Sequence, residues 1–250
     1  MTRRQLLASA LALPYQNHVL RTEHQAYDCS VRILTSRRKP VATLYVLPVN
    51  PDISYRWGDG LDTLAGLALH EKYGLVLAAP SFTHWPWFAD HPINPKIRQE
   101  SFFVKEVVPL VDRLHPTPAR LLVGFSKSGN GALQLLLRHP RLFHAAAAWD
   151  APLMKAAPDQ YNMPEIYGTL DNFRQYAIPG LLEKQASLLA GGKPRIALMG
   201  YDAFQEHTAQ AHALMEKLSI PHFYENSTRR LHRWDSGWLQ PALAYLARML

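Results

Sequence analysis

The stretch Leu121–Pro140, LLVGFSKSGNGALQLLLRHP, constrains the fold more than any other part of the chain. A short apolar run reads as a strand and a leucine-rich run as a helix, with only Gly-Phe-Ser-Lys-Ser-Gly between them. So tight a junction serves two chemistries. One cradles a phosphate in backbone N–H groups, and the other pushes a serine out as a nucleophile. Gly124 and Gly129 have the separation of a phosphate loop, but Asn130-Gly131 stands where that loop needs Lys-Ser/Thr, and Lys127 comes too early. The pattern G-x-S-x-G fits better. Ser126 is its centre, Gly124 precedes it, and Ser128 takes the place of the second glycine. The plainer alternative is an ordinary strand–turn–helix in which Ser126 caps the helix.

Apolar residues make up 48% of the 250 positions, enough for one large α/β domain. Strand patterns at 41–47, 75–79, 121–125, 145–149, 195–199 and 222–225 alternate with helical ones at 61–72, 99–114, 130–138, 203–218 and 238–248. This alternation predicts a mostly parallel sheet covered on both faces. Stretches 18–26 and 29–34 predict an antiparallel hairpin ahead of it, and Pro109 predicts a kink or break within 99–114. Residues 151–193 carry Pro152, Pro158, Pro164, Pro179 and Gly191-Gly192, and read as a cap-like insertion with two or three short helices.

No run approaches the ~20 apolar residues that span a bilayer. The net charge of +7 is scattered rather than gathered into a patch, which argues against a nucleic-acid footprint. Cys29 is the single cysteine, so no intramolecular disulfide forms. Thr2-Arg3-Arg4-Gln5-Leu6-Leu7, followed by apolar Leu6–Leu13, has the form of a twin-arginine export signal. This predicts a signal segment over 1–16, a domain over 17–250, and a periplasmic or secreted location; a basic first helical turn on a cytoplasmic protein is the alternative.

A nucleophilic serine needs a base and an acid, which follow in the order Ser, acid, His. Among twelve histidines, His232 lies between the last strand pattern and the terminal helix, where the base belongs. Asp202, just past the strand at 195–199, is the expected acid, with Asp150 and Glu206 as rivals; Asp202 would otherwise cap the following helix. The oxyanion donors are expected to be the Lys127 N–H and that of Val49, or else Asn50, because Pro48 has no N–H to give. The Lys127 side chain is expected to brace the turn by pairing with a carboxylate or carbonyl. Trp85, Trp87, Phe88 and Trp149 crowd the same edge and are the expected substrate-binding surface, unless they are core. Arg98, Gln99 and Glu100 are expected to brace that loop.

Together these residues resemble the α/β-hydrolase superfamily, and within it the esterase-D-like branch, from about residue 40 onward. The resemblance rests most on Gly124–Gly129 and on His232-x-Trp234 with Trp238 beyond it; more narrowly, Arg56-Trp-Gly-Asp-Gly, Pro86-Trp-Phe-Ala-Asp-His-Pro, Ile97-Arg-Gln-Glu-Ser, Gly-Phe-Ser-Lys-Ser-Gly and Ala148-Trp-Asp-Ala-Pro-Leu are similar to a bacterial hydrolase group with no assigned substrate. It implies hydrolysis of a small-molecule or carbohydrate-linked acyl ester through an acyl-serine, with neither metal nor organic cofactor. A serine peptidase, an acyltransferase or a non-catalytic binding module on the same scaffold remains the alternative.

Overall fold

The computed structural model describes residues 15–51 and 56–250. Strands β1 (Gln16–Leu20) and β2 (Cys29–Thr35) form the antiparallel hairpin, and β3 (Ala42–Val46) follows. The chain then runs through α1 (Gly60–Gly66) and α2 (Leu69–Tyr73) into β4 (Leu75–Pro80). Asp59 caps α1 by accepting the Asp62 N–H at 2.9 Å. Next come α3 (Gln99–Phe102), a π-helical turn at Phe103–Val107, and α4 (Val108–Leu114). Pro109 explains the widened turn, since it has no N–H to continue the α-helical ladder.

Strand β5 (Arg120–Phe125) passes into α5 (Lys127–Arg138) and then β6 (Ala145–Trp149). Within 151–193 lie α6 (Met163–Tyr167), α7 (Leu170–Arg174) and α8 (Ile178–Leu189). Strand β7 (Ile196–Met199), α9 (Gln205–Lys217), β8 (Phe223–Glu225) and α10 (Leu239–Leu246) complete the chain.

The eight strands order as β1-β2-β4-β3-β5-β6-β7-β8, parallel from β4 to β8 and antiparallel at the β1–β2–β4 edge. The central strands are apolar on both faces because helices cover both. In β5, Leu122 joins the core beneath α4, α5, α8 and α9, while Leu121, Val123 and Phe125 join the core beneath α1, α2 and α10. A third cluster packs the 85–97 loop (Trp87, Ala89, Ile97) against Met163, Ile166, Tyr167, Phe173 and Tyr176 of the insertion. Between β3 and β5 the order of connection reverses, and a crevice forms at their carboxyl ends.

Residues 1–14, including the twin-arginine pattern, lie outside the described residues. Tyr15 and Gln16, inside the expected 1–16 signal segment, join the domain: the Tyr15 hydroxyl donates to Asp62 Oδ1 at 2.6 Å, and Gln16 pairs with Ile33. Among the described residues, no helix is long and apolar enough to cross a membrane.

Candidate active site

Ser126 sits between the end of β5 and the first residue of α5, with φ 55° and ψ −127°. A non-glycine residue held there costs on the order of 1–3 kcal/mol, so the surrounding structure must enforce it. Gly124 makes the turn possible. A Cβ at that position would lie 2.0 Å from the Ser128 carbonyl oxygen, so any larger residue drives helix and strand apart. Gly131 has a similar task, because a Cβ there would meet the Phe88 ring at 2.0 Å.

Ser128, in the place of a glycine, proves useful. Its Oγ donates to the Phe125 carbonyl at 2.9 Å and accepts the Phe125 N–H at 3.0 Å, lacing the elbow to itself. The Ser126 N–H donates to the Trp149 carbonyl at 2.9 Å, and its carbonyl accepts from Gly129 and Asn130. Its side chain makes no capping hydrogen bond, so the capping alternative fails and the hydroxyl is left for chemistry.

The acid facing the histidine is Asp150, not Asp202. Asp150 is fully buried at the end of β6, and its Oδ2 lies 2.5 Å from His232 Nδ1. The same carboxylate accepts the N–H groups of Ala203 at 3.0 Å and Phe204 at 2.7 Å. An ionised carboxylate only accepts, so Nδ1 carries the proton and Nε2 keeps its lone pair free for a proton from elsewhere. Asp202 is exposed in the turn after β7, and Glu206 is exposed on α9, where it pairs with Gln210. The turn expected to supply the acid instead supplies two backbone donors that hold it. Asp150 itself has φ 41°, a second strained residue beside the first.

Three rings hold the His232 imidazole: Phe125 with its centroid at 4.5 Å, Trp57 at 5.2 Å and Phe204 at 5.7 Å. Phe125 immediately precedes Ser126, so the His232 ring is seated on the strand end that leads into Ser126. Sequence reasoning does not bring Trp57 or Phe204 to the site, although Trp57 lies in the Arg56-Trp-Gly-Asp-Gly motif. Beyond Trp57 opens a cavity of about 500 Å³, lined by Arg32, Val49, Asn50, Asp59 and Trp234 among others. Val49 is buried after β3 and adjoins this space. Neither its N–H nor that of Lys127 has an acceptor among the described residues.

The aromatic expectation needs correction. Trp87, Phe88 and Trp149 are fully buried and offer no surface to a substrate. Trp87 Nε1 donates to the Tyr161 carbonyl, and Trp149 stacks on Trp238 with centroids 5.9 Å apart. Gln99 explains why the first two turn inward. Its Oε1 accepts from the N–H groups of Trp87 and Phe88, and its Nε2 donates to the Trp85 carbonyl. Trp85 alone stays partly exposed, and the Lys127 ammonium lies 4.8 Å from its ring centre. The expected carboxylate partner for Lys127 is missing: among the described residues, none lies within ion-pair distance of it.

Among the described residues, one group outside this site brings three side chains of metal-ligating type together. Ligand atoms of His212, Glu216 and His222 lie within 4.8 Å of one another, with His212 Nδ1 hydrogen-bonded to His222 Nε2 at 2.8 Å.

Residues 86–185 match the esterase family model, described as "Putative esterase". No curated protein sequence matches the chain. Solved structures share its fold at low identity. A ferulic acid esterase is 17% identical with a TM-score of 0.71, over 94% of this chain and 98% of that one. An S-formylglutathione hydrolase from Agrobacterium tumefaciens is 14% identical with a TM-score of 0.75, over 96% and 97%. A substrate-bound fluorophosphonate-binding serine hydrolase from Staphylococcus aureus is 14% identical with a TM-score of 0.75, over 93% and 98%.

Proposed function

We propose that this α/β-hydrolase, a carboxylic-ester hydrolase of the esterase family, works through an acyl-serine formed on Ser126. The observation that carries the proposal is the Asp150–His232 hydrogen bond, formed beside a strained serine elbow. Ser126 Oγ attacks the ester carbonyl carbon while His232 Nε2 takes its proton. Asp150 fixes the tautomer and stabilises the imidazolium. The oxyanion that develops faces the N–H groups of Lys127 and Val49. His232 then returns its proton to the departing alkoxide, and a water, activated by the same imidazole, attacks the acyl-serine to release the acid.

A small-molecule ester suffices for this reaction; the cavity beyond Trp57 is lined by Val49 but by neither Ser126 nor His232. A carbohydrate-linked ester has less support, because three of the four aromatics that would have carried a sugar are buried. A panel of p-nitrophenyl acyl esters tests the reaction class. The wild type is expected to turn over at least one, and Ser126→Ala to lose roughly 10³-fold or more in kcat. Equal turnover by both proteins would end the proposal.

Export through the twin-arginine route rests on Arg3-Arg4 and the apolar run behind them. Replacing both arginines with lysine is expected to retain the protein in the cytoplasm of an export-competent host. Unchanged delivery to the periplasm would refute the route.

A further inference from the structure

Among the described residues, Lys127 and Arg98 are the half-buried cations whose side chains meet neither a carboxylate nor a carbonyl, and of the two it is Lys127 that adjoins Ser126. Arg32, Arg120, Arg138, Arg230 and Lys155 are half-buried like Lys127, and each sits on a carboxylate: Asp59, Asp112, Glu100, Glu225 and Asp159 respectively. Arg195, also half-buried, is satisfied by the carbonyls of Pro140, Phe143 and His144. Among the described residues, the Lys127 ammonium has only the face of Trp85. An aromatic face contributes about 0.5–2 kcal/mol, less than the cost of sheltering a charge without a counter-ion. Asp90, the acid of the loop that carries Trp85, is taken up by Ser101, whose N–H and Oγ donate to it at 3.0 and 2.6 Å. Burial alone lowers the lysine to about 8, which still leaves it mostly charged at neutral pH.

The position is as informative as the missing partner. Lys127 adjoins Ser126 in the chain, so its Cα lies about 3.8 Å from that of the nucleophile. Its side chain leaves the elbow toward the one aromatic of the 85–88 loop that keeps some exposure. A cation that merely braced the elbow would be expected to touch a carboxylate or carbonyl of the elbow or its neighbours. Ser128 already performs that bracing through Phe125.

Resting on the ester-hydrolase reading above, we infer that the Lys127 ammonium seats a carboxylate carried by the ester substrate, beside Trp85 and within reach of the Ser126 carbonyl-attack position. The substrate's own charge then balances the unmatched cation. An ester with a free carboxylate is selected over its neutral counterpart because it alone supplies that counter-charge. The carboxylate can belong to the acyl part or to the alcohol part, and the test separates the two.

Two matched pairs serve as probes. Hemiglutarate and pentanoate esters of p-nitrophenol place the charge, or its absence, on the acyl side. p-Acetoxybenzoate and its methyl ester do the same on the alcohol side. The readout is the ratio of kcat/KM for the anionic member to that for the neutral one. That ratio is expected to fall by roughly 10- to 100-fold in Lys127→Met for one of the pairs, and to be largely kept in Lys127→Arg. Binding of the same compounds to Ser126→Ala, by calorimetry, gives a readout without chemistry. The anionic probe should bind more tightly than the neutral one, and the double variant Ser126→Ala/Lys127→Met should lose the difference. Equal affinities in Ser126→Ala, or a ratio unmoved by Lys127→Met in both pairs, would overturn the inference while leaving ester hydrolysis intact. Anion-selective binding without turnover of any ester would instead count against the hydrolase reading alone.

Discussion

Asp150 Oδ2 lies 2.5 Å from His232 Nδ1, although 82 positions separate the two residues in the chain. The carboxylate that meets His232 follows β6, one strand earlier than the position expected from Asp202. Asp150→Asn is expected to cut kcat by about 10²- to 10⁴-fold, because an amide in that place favours the wrong imidazole tautomer. Asp202→Asn, exposed in the turn after β7, should change kcat less than about threefold, as surface substitutions usually do little. Steady-state kinetics on both purified variants decides the matter. The reverse ranking would return the acid to the later strand.

Two glycines should respond in opposite directions. Gly124→Ala forces a Cβ to within 2.0 Å of the Ser128 carbonyl, which is backbone and cannot step aside. A loss of about 3 kcal/mol or more, or failure to fold, is expected. Gly66 closes α1, and a methyl group added there would meet nothing within 4 Å. Gly66→Ala should therefore add about 0.5–1 kcal/mol through the reduced entropy of the unfolded chain. Urea denaturation of the two variants measures both. A tolerated Gly124→Ala would mean that the elbow is looser than its contacts imply.

Glu100 anchors the aromatic loop to α5 and gives stability a pH dependence. Arg138 donates to both of its carboxylate oxygens at 2.6 and 2.9 Å, His139 approaches at 2.7 Å, and the Tyr176 hydroxyl at 3.0 Å. Burial alone would raise its pKa, but the hydrogen bonds from His139 and Arg138 and their charges outweigh it and hold the carboxyl at about 2. A depressed folded-state pKa means stability that is present above the unfolded value, near 4.5, and lost as pH falls toward 2. The contribution is on the order of 3 kcal/mol at neutral pH. Glu100→Gln should therefore be less stable than wild type at pH 7, and the gap should close between about pH 4.5 and 2. A gap that stays constant across that window would assign the loss to packing rather than to charge.

What can be read from the sequence follows from how locally each feature is determined. The central strands are legible because both faces are covered, which turns β5 and β6 into uninterrupted apolar runs. The elbow is legible because close approach of strand and helix demands small residues within six positions. Asp150 and Asp202 both follow parallel strands at the same edge, so spacing cannot rank them. The choice depends on the backbone at Asp150 bending to φ 41°, and on the Ala203 and Phe204 N–H groups pointing back toward it. The burial of Trp87 and Phe88 is equally hidden, because it depends on Gln99 drawing the loop inward. Gln99 reads as a brace for that loop, but the direction of the pull belongs to tertiary structure. Trp57 approaches His232 only because the chain returns to the site after β3, a contact no local pattern encodes.

The central claim is that Ser126 is a nucleophile activated by His232. Treatment with a fluorophosphonate followed by tandem mass spectrometry locates the reactive residue without any assumption about the substrate. A single phosphonyl adduct on Ser126 is expected in the wild type. The adduct should be absent in Ser126→Ala and should form at least about a hundredfold more slowly in His232→Ala, where the serine has lost its base. Undiminished labelling of His232→Ala, or ester turnover by a protein that carries no adduct on Ser126, would contradict that claim.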